Sequence, residues 1–163
     1  EESVILPKDC SGTVQLEGEL AIVIGRTAKR VAEKDALGYV FGYTICNDIS
    51  ERKWQLGDRT VWRGKNTDTF NPIGPWIDTE IDLDRLVTHI RVNGEERGSF
   101  RTNEMVFGVA KMIEILTRNI TLWPGDVIIA GADEPTPDLV AGDVAEIEID
   151  GLGVLRNPVR AEA

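Results

Sequence analysis

The stretch TVQLEGELAIVIG, residues 13–25, places two glutamates, Glu17 and Glu19, at the mouth of an apolar run. On an extended chain they share one face, about 7 Å apart along the backbone. Two like charges buried at that range repel strongly, or one takes up a proton. A divalent cation resolves the conflict, and a set of oxygen ligands selects Mg²⁺, Mn²⁺ or Ca²⁺ rather than zinc or copper. A third carboxylate would suit an octahedral Mg²⁺ with waters left for a substrate. Asp48, closing the next apolar run in YTICND, is the natural candidate. The competing reading is a half-polar strand whose glutamates simply face solvent.

Other residue types carry less chemistry. The single histidine, His89, lies opposite Leu86, Ile90 and Val92 in the alternation of residues 86–92, so it reads as a strand-face residue beside Arg91. One histidine argues against the usual three-ligand catalytic zinc site, and its outward face argues against a Ser-His-Asp triad. GDRTVWRGKNT puts six residues between Gly57 and Gly64 and follows Lys65 with Asn66. It is not a Walker loop, and Lys65 needs another explanation. DTEIDLD has Leu83 where an EF-hand loop requires glycine.

The elements that must hold these side chains are mostly strands. In residues 13–25, Val14, Leu16, Leu20, Ile22 and Ile24 form one apolar face, and the chain enters the interior near residue 20. Residues 26–36 read as a loop with one helical turn, and residues 38–50 as a second buried strand. Residues 51–76 show no sustained period and read as a long functional loop. Residues 85–100 form a hairpin with Asn93-Gly94 at a type I′ turn. Apolar residues at 105, 106, 109, 112, 113 and 116 predict one helix over 102–119, capped by Thr102 or Asn103. Residues 125–132 and 142–159 supply further strands. The class is α+β, mainly β, with a mixed or antiparallel sheet.

Among 163 residues, 28 acidic side chains face 18 basic ones, for a net charge of −10. Such a chain repels phosphate backbones and anionic membrane surfaces, so neither nucleic acid nor membrane is an expected partner. No run approaches the roughly 18 apolar residues of a membrane span, and no signal peptide is visible. Cys10 and Cys46 lack CxxC spacing and suit a reducing, cytoplasmic compartment, with Cys46 as a small core residue.

The blocks LEGELAIVIG, GYTICNDISER, RGKNTDTFNPIGPW, VNGEERGS, LWPGDVI and AGDVAEIEIDGLGVLRNPV come in order along nearly the whole chain. Together they resemble the fumarylacetoacetate hydrolase superfamily. The resemblance implies a mixed β-sandwich roll with one main helix, assembled as a homodimer. It implies Mg²⁺ or Mn²⁺ held by Glu17, Glu19 and Asp48, the residues that the charge argument reaches independently. It also implies Arg52 and Gln55 on the substrate side and Lys65 beside the metal and the substrate's acidic end. A 2-oxo acid presents a carboxylate and a keto oxygen in chelating geometry, which a metal polarises. Arg52 and Lys65 would offset carboxylate charge in this acidic chain.

Two departures stand out. The family's upstream H-x-x-E pair, which activates water in the hydrolases, is not in these 163 residues. The family's T-G-T-P turn, whose threonine binds the substrate carboxylate, here reads Ala130-Gly131-Ala132-Asp133, followed by Glu134-Pro135. Residues 1–163 are therefore expected to be a single catalytic core domain without the family's N-terminal segment. The expected function is divalent-metal-dependent C–C cleavage or decarboxylation of a 2-oxo acid, of acylpyruvate or oxo-dicarboxylate type. Hydrolysis stays open if the pair lies upstream. The alternatives are a sugar-acid dehydratase or isomerase, and a truncated non-catalytic module that binds metal or pairs with another chain.

Overall fold

The computed structural model describes residues 2–133 and 135–163; Glu134, one of the two acids of the altered turn, lies outside the described residues. In chain order the elements are β1 (Val4–Leu6), β2 (Val14–Gln15), β3 (Gly18–Ile24), β4 (Val40–Asn47), β5 (Ser50–Glu51), α1 (Arg52–Gly57), α2 (Trp62–Lys65) and β6 (Ile73–Asp78). There follow β7 (Val87–Val92), β8 (Glu95–Arg101), α3 (Val109–Asn119), β9 (Val127–Ile129), β10 (Asp138–Leu139), β11 (Val144–Ile149) and β12 (Gly153–Ala161). Strands dominate and α3 is the one long helix, as the alternating pattern predicts.

A five-stranded sheet runs β1-β12-β11-β7-β8 and a four-stranded sheet runs β6-β4-β3-β9. A short ladder, β10-β2-β5, joins the ends of the β2 and β4 segments. Pairing is antiparallel except between β1 and β12. The two larger sheets meet where Gly18 on β3 faces Ile147 on β11; a Cβ on Gly18 would come within 3.0 Å of that side chain. Leu20, Ile22, Ile45, Ile90, Ile147 and Ile149 fill the space between them and are almost wholly buried. Each such burial contributes roughly 1.5–3 kcal/mol. The β7–β8 hairpin turns at Asn93 (φ 58°) and Gly94 (φ 78°), the left-handed pair of a type I′ turn.

Four expectations are corrected. The strand over 13–25 is two pieces, because the chain leaves β2 at Leu16 and re-enters a different sheet at Gly18. The stretch 51–76 contains α1, α2 and the start of β6; helices of six and four residues are too short to leave a readable period. The predicted helix over 102–119 begins only at Val109, with Gly108 as its N-cap. Thr102 is drawn instead to the sheet, where its hydroxyl lies 2.9 Å from that of Thr88, and Asn103 donates to the Asp84 carbonyl at 2.9 Å. Residues Glu33–Tyr39 form a 3-10 turn longer than the single turn expected.

Candidate metal centre

Register decides which carboxylates meet. In the β3–β4 pair, Gly18 stands opposite Asn47 and Glu19 opposite Cys46. One step further, the Asp48 amide donates to the Glu17 carbonyl at 2.9 Å. The three side chains therefore converge, and one oxygen from each of Glu17, Glu19 and Asp48 lies within 4.8 Å of the others. The solvent-facing reading fails for Glu19, which is 4% exposed. Gly18, between the two glutamates, takes the core side, so both carboxylates can take the other.

The cations arrive from α1 and α2. Lys65 Nζ donates to Glu17 Oε2 at 2.5 Å and also to Asp48 Oδ2. Arg52 Nη2 donates to Glu17 Oε1 at 2.5 Å, while its Nε donates to Gln15 and its Nη1 to Gln55. α1 is capped by Glu51, which accepts from the Trp54 amide. α2 packs on α1 through Gly64, where a Cβ would lie 2.9 Å from the Gln55 nitrogen and 3.0 Å from the Glu51 carbonyl oxygen. That close approach seats Lys65.

These contacts make the three acids unequal. Burial raises the Glu17 carboxyl, but hydrogen bonds from Lys65 and Arg52 outweigh it and hold it below the usual range. Burial raises Glu19 to about 7, with the Asp48 and Glu17 charges adding and the Gly131 amide opposing. Burial also lifts Asp48, against its bond to Lys65. Lys65 keeps its proton more firmly than a free lysine, because its two carboxylate partners outweigh its burial. Cys46, beneath the cluster, is pushed by burial to about 12 and is an inert core thiol.

A divalent cation fits this donor set. The ligand atoms are all hard oxygens. Two cations serve three acids, and among the described residues Glu19 accepts only from the Gly131 amide, with no basic partner. A cavity of about 350 Å³ borders Gly131, lined by Phe100, Met105, Phe107, Met112 and Ala132 among others. All six residues singled out from sequence, Glu17, Glu19, Asp48, Arg52, Gln55 and Lys65, are thus brought together. Sequence reasoning missed Gln15, which shares the alternating face with Glu17 and was legible in principle. It also missed Ser50, which donates to Glu17 at 3.2 Å, and the Gly131 amide, which no side-chain pattern announces. His89 stands apart on β7, its ring nitrogens each 3.9 Å from Glu96 and Asp150.

Residues 1–160 match the fumarylacetoacetate (FAA) hydrolase C-terminal family, and the chain belongs to that family. Oxaloacetate tautomerase Fahd2a, mitochondrial, from Rattus norvegicus is 38% identical over 169 residues, covering 97% of this chain and 54% of that protein. The crystal structure of 5-carboxymethyl-2-hydroxymuconate delta-isomerase from Mycobacterium smegmatis superposes with a TM-score of 0.96 at 39% identity, covering 100% of this chain and 64% of that one. Maleylpyruvate hydrolase from Sphingobium sp. SYK-6, solved with manganese(II) and pyruvate, gives a TM-score of 0.89 at 34% identity, covering 99% and 60%. The chain spans between half and two thirds of the length of these three proteins.

Proposed function

We propose that this chain forms the catalytic core of a divalent-metal-dependent enzyme acting on 2-oxo acids. Glu17, Glu19 and Asp48 would hold Mg²⁺ or Mn²⁺. The observation that carries the reading is the convergence of three carboxylates beside Lys65 and Arg52 in a part-buried site. The metal supplies Lewis acidity toward a keto oxygen and its neighbouring carboxylate. Lys65 Nζ and the Arg52 guanidinium bind the anionic end of the substrate and hold its charge in place. Gln55 orients Arg52 through the bond to its Nη1. The cavity beside Gly131 is mostly apolar and would take the acyl chain of an acylpyruvate-type substrate.

The enolate form of a 2-oxo acid is common to C–C cleavage, decarboxylation and tautomerisation. Decarboxylation or C–C cleavage is the leading reading. Tautomerisation or isomerisation is the second, supported by the names of the rat and mycobacterial relatives. His89, the single histidine of this sequence, lies on β7 in the five-stranded sheet and the carboxylate centre on the β3–β4 pair of the other large sheet, so this imidazole is not placed to activate water there. A homodimer belongs to the same proposal: Ile73, Trp76 and Ile77 on the edge strand β6 are exposed apolar side chains. Light scattering is expected to return twice the chain mass of 18.0 kDa.

The test is a screen of oxaloacetate, acylpyruvates and 2-keto-3-deoxy sugar acids with and without Mg²⁺ or Mn²⁺. Turnover is expected only with metal, and Glu19→Gln should weaken metal affinity by about 10–100-fold. Full activity and unchanged metal dependence in Glu19→Gln would remove the site assignment. A chain that binds Mn²⁺ but turns over none of these would favour the non-catalytic reading.

A further inference from the structure

Glu51 is a carboxylate with no solvent exposure at all, and the proposed chemistry does not use it. Its Oε1 accepts from the Gly12 amide at 2.5 Å and lies 4.0 Å from the Cys10 thiol. Its Oε2 accepts from the Trp54 amide at 2.5 Å. The two oxygens therefore tie two distant stretches together, the segment before β2 and the first turn of α1. The fit is close on both sides. A Cβ on Gly12 would fall 2.3 Å from Oε1 and 2.5 Å from the Lys53 Cβ, so the segment reaches Glu51 only because residue 12 has no side chain. The tie is repeated in the backbone, where the Arg52 amide donates to the Thr13 carbonyl at 2.9 Å. Arg52 and Gln55 are the side chains that this first turn carries.

We propose that Glu51 is a positioning residue for the carboxylate centre. Its buried carboxylate clasps the Gly12 segment to α1 and thereby holds the Arg52 guanidinium on Glu17 and Gln15. The proposal rests on the functional reading above only for its kinetic consequence. The chemistry requires a carboxylate rather than any polar group, because both oxygens face N–H donors. Glutamine has the same shape but offers one oxygen and one NH₂, so one of the two amides must face another donor.

The test compares the chain with Glu51→Gln, Glu51→Asp, Arg52→Ala and the Glu51→Gln/Arg52→Ala double variant. The readouts are melting temperature, kcat and KM with Mn²⁺ and oxaloacetate well below every melting point, and the Arg52 Nε–H NMR signal, assigned by its loss in Arg52→Ala. A positioning role predicts that Glu51→Gln lowers kcat/KM by about tenfold in an otherwise folded protein. Because the effect runs through Arg52, adding Glu51→Gln to Arg52→Ala should lower kcat/KM by less than about twofold. Glu51→Asp keeps both acceptors and should recover part of the loss. The Arg52 Nε–H signal should exchange with solvent faster in Glu51→Gln.

A purely structural role gives another pattern. Glu51→Gln would then lower the melting temperature equally in both backgrounds and leave kcat/KM and the Arg52 signal unchanged, which overturns the proposal. Absence of metal-dependent turnover in the parent chain overturns the functional reading alone. The Arg52 signal still decides the clasp, because its exchange does not depend on turnover.

Discussion

Glu19 has a carboxylate crowded by two other acids, Glu17 and Asp48, whose combined effect exceeds that of the Lys65 charge, and it sits where water barely reaches. Without metal, its proton is released at about pH 7 rather than at the ordinary 4.5, because burial and the two like charges disfavour the ion. The folded chain therefore holds a proton that the unfolded chain releases between those two values. Stability from this group is complete below pH 4.5 and is lost as pH rises through about 7. The loss is on the order of 3 kcal/mol. In metal-free protein at pH 8, Glu19→Gln should melt above the parent chain, and the difference should vanish near pH 4.5. With saturating Mn²⁺ the order should reverse, because only the parent keeps all three ligands. Thermal scans across pH, with and without Mn²⁺, check both signs. Lys65 presents the opposite case, an ammonium shared by Glu17 and Asp48. Lys65→Met should lower kcat by about 100-fold while Mn²⁺ binds no more weakly, since a competing cation has gone. Titration calorimetry beside kinetics separates the two effects.

The elements around the centre divide the work. Glu19 lies in β3, and Glu17 and Asp48 flank β3 and β4, so the ladder register presents the acids. The two short helices present Arg52, Gln55 and Lys65, and their hold is narrower. α2 has four residues, starts from Val61 in a left-handed conformation (φ 61°) and lies on α1 through Gly64. A methyl group at residue 64 would meet backbone atoms of Glu51 and Gln55, which cannot swing aside. Gly64→Ala should therefore cost about 1–3 kcal/mol of stability by overpacking. It should also lower kcat/KM by about tenfold or more through displacement of Lys65. Chemical denaturation and steady-state kinetics give the two numbers. If stability falls while kinetics hold, Lys65 is not seated by this contact.

Across the whole molecule, the packing of the two larger sheets reaches into the metal centre. Gly18 is flanked by two ligand candidates, yet its own open side faces Ile147 in the opposite sheet. Sheet spacing and carboxylate placement are thus coupled at one residue. Gly18→Val would push the sheets apart beside the site, and is expected to cost about 1–3 kcal/mol and to weaken Mn²⁺ binding at the same time. Ile147→Ala in that background removes the Cγ1, Cγ2 and Cδ1 atoms opposite the insertion, so it should cost less stability than in the parent chain and should restore part of the Mn²⁺ binding. A double-mutant cycle in denaturant and in Mn²⁺ titration measures the coupling. In the parent chain, Mn²⁺ at 100 times its Kd should add about 2.7 kcal/mol to stability, read as a rise in melting temperature.

The sequence alone was enough to identify the strand-rich class, the type I′ hairpin at Asn93-Gly94 and the buried Cys46, because period-2 burial and left-handed turn residues leave local marks. It also identified Glu17, Glu19 and Asp48 as a group, since two acids on one face before an apolar run are costly unless something compensates them. The family's ordered motifs added Arg52, Gln55 and Lys65. Only the tertiary structure decided that the chain breaks at Leu16, that residues 51–76 fold into two short helices, and that α3 waits until Val109. Each of those outcomes turns on a contact that no periodicity announces: β10 and β5, far along the chain, for β2, the Glu51 cap and the Gly64 contact for α1 and α2, and Thr88 on the facing strand for Thr102. The same holds for Glu51 and Gly131, whose roles are made of backbone amides that every residue type except proline possesses, so no pattern of side chains could point to them.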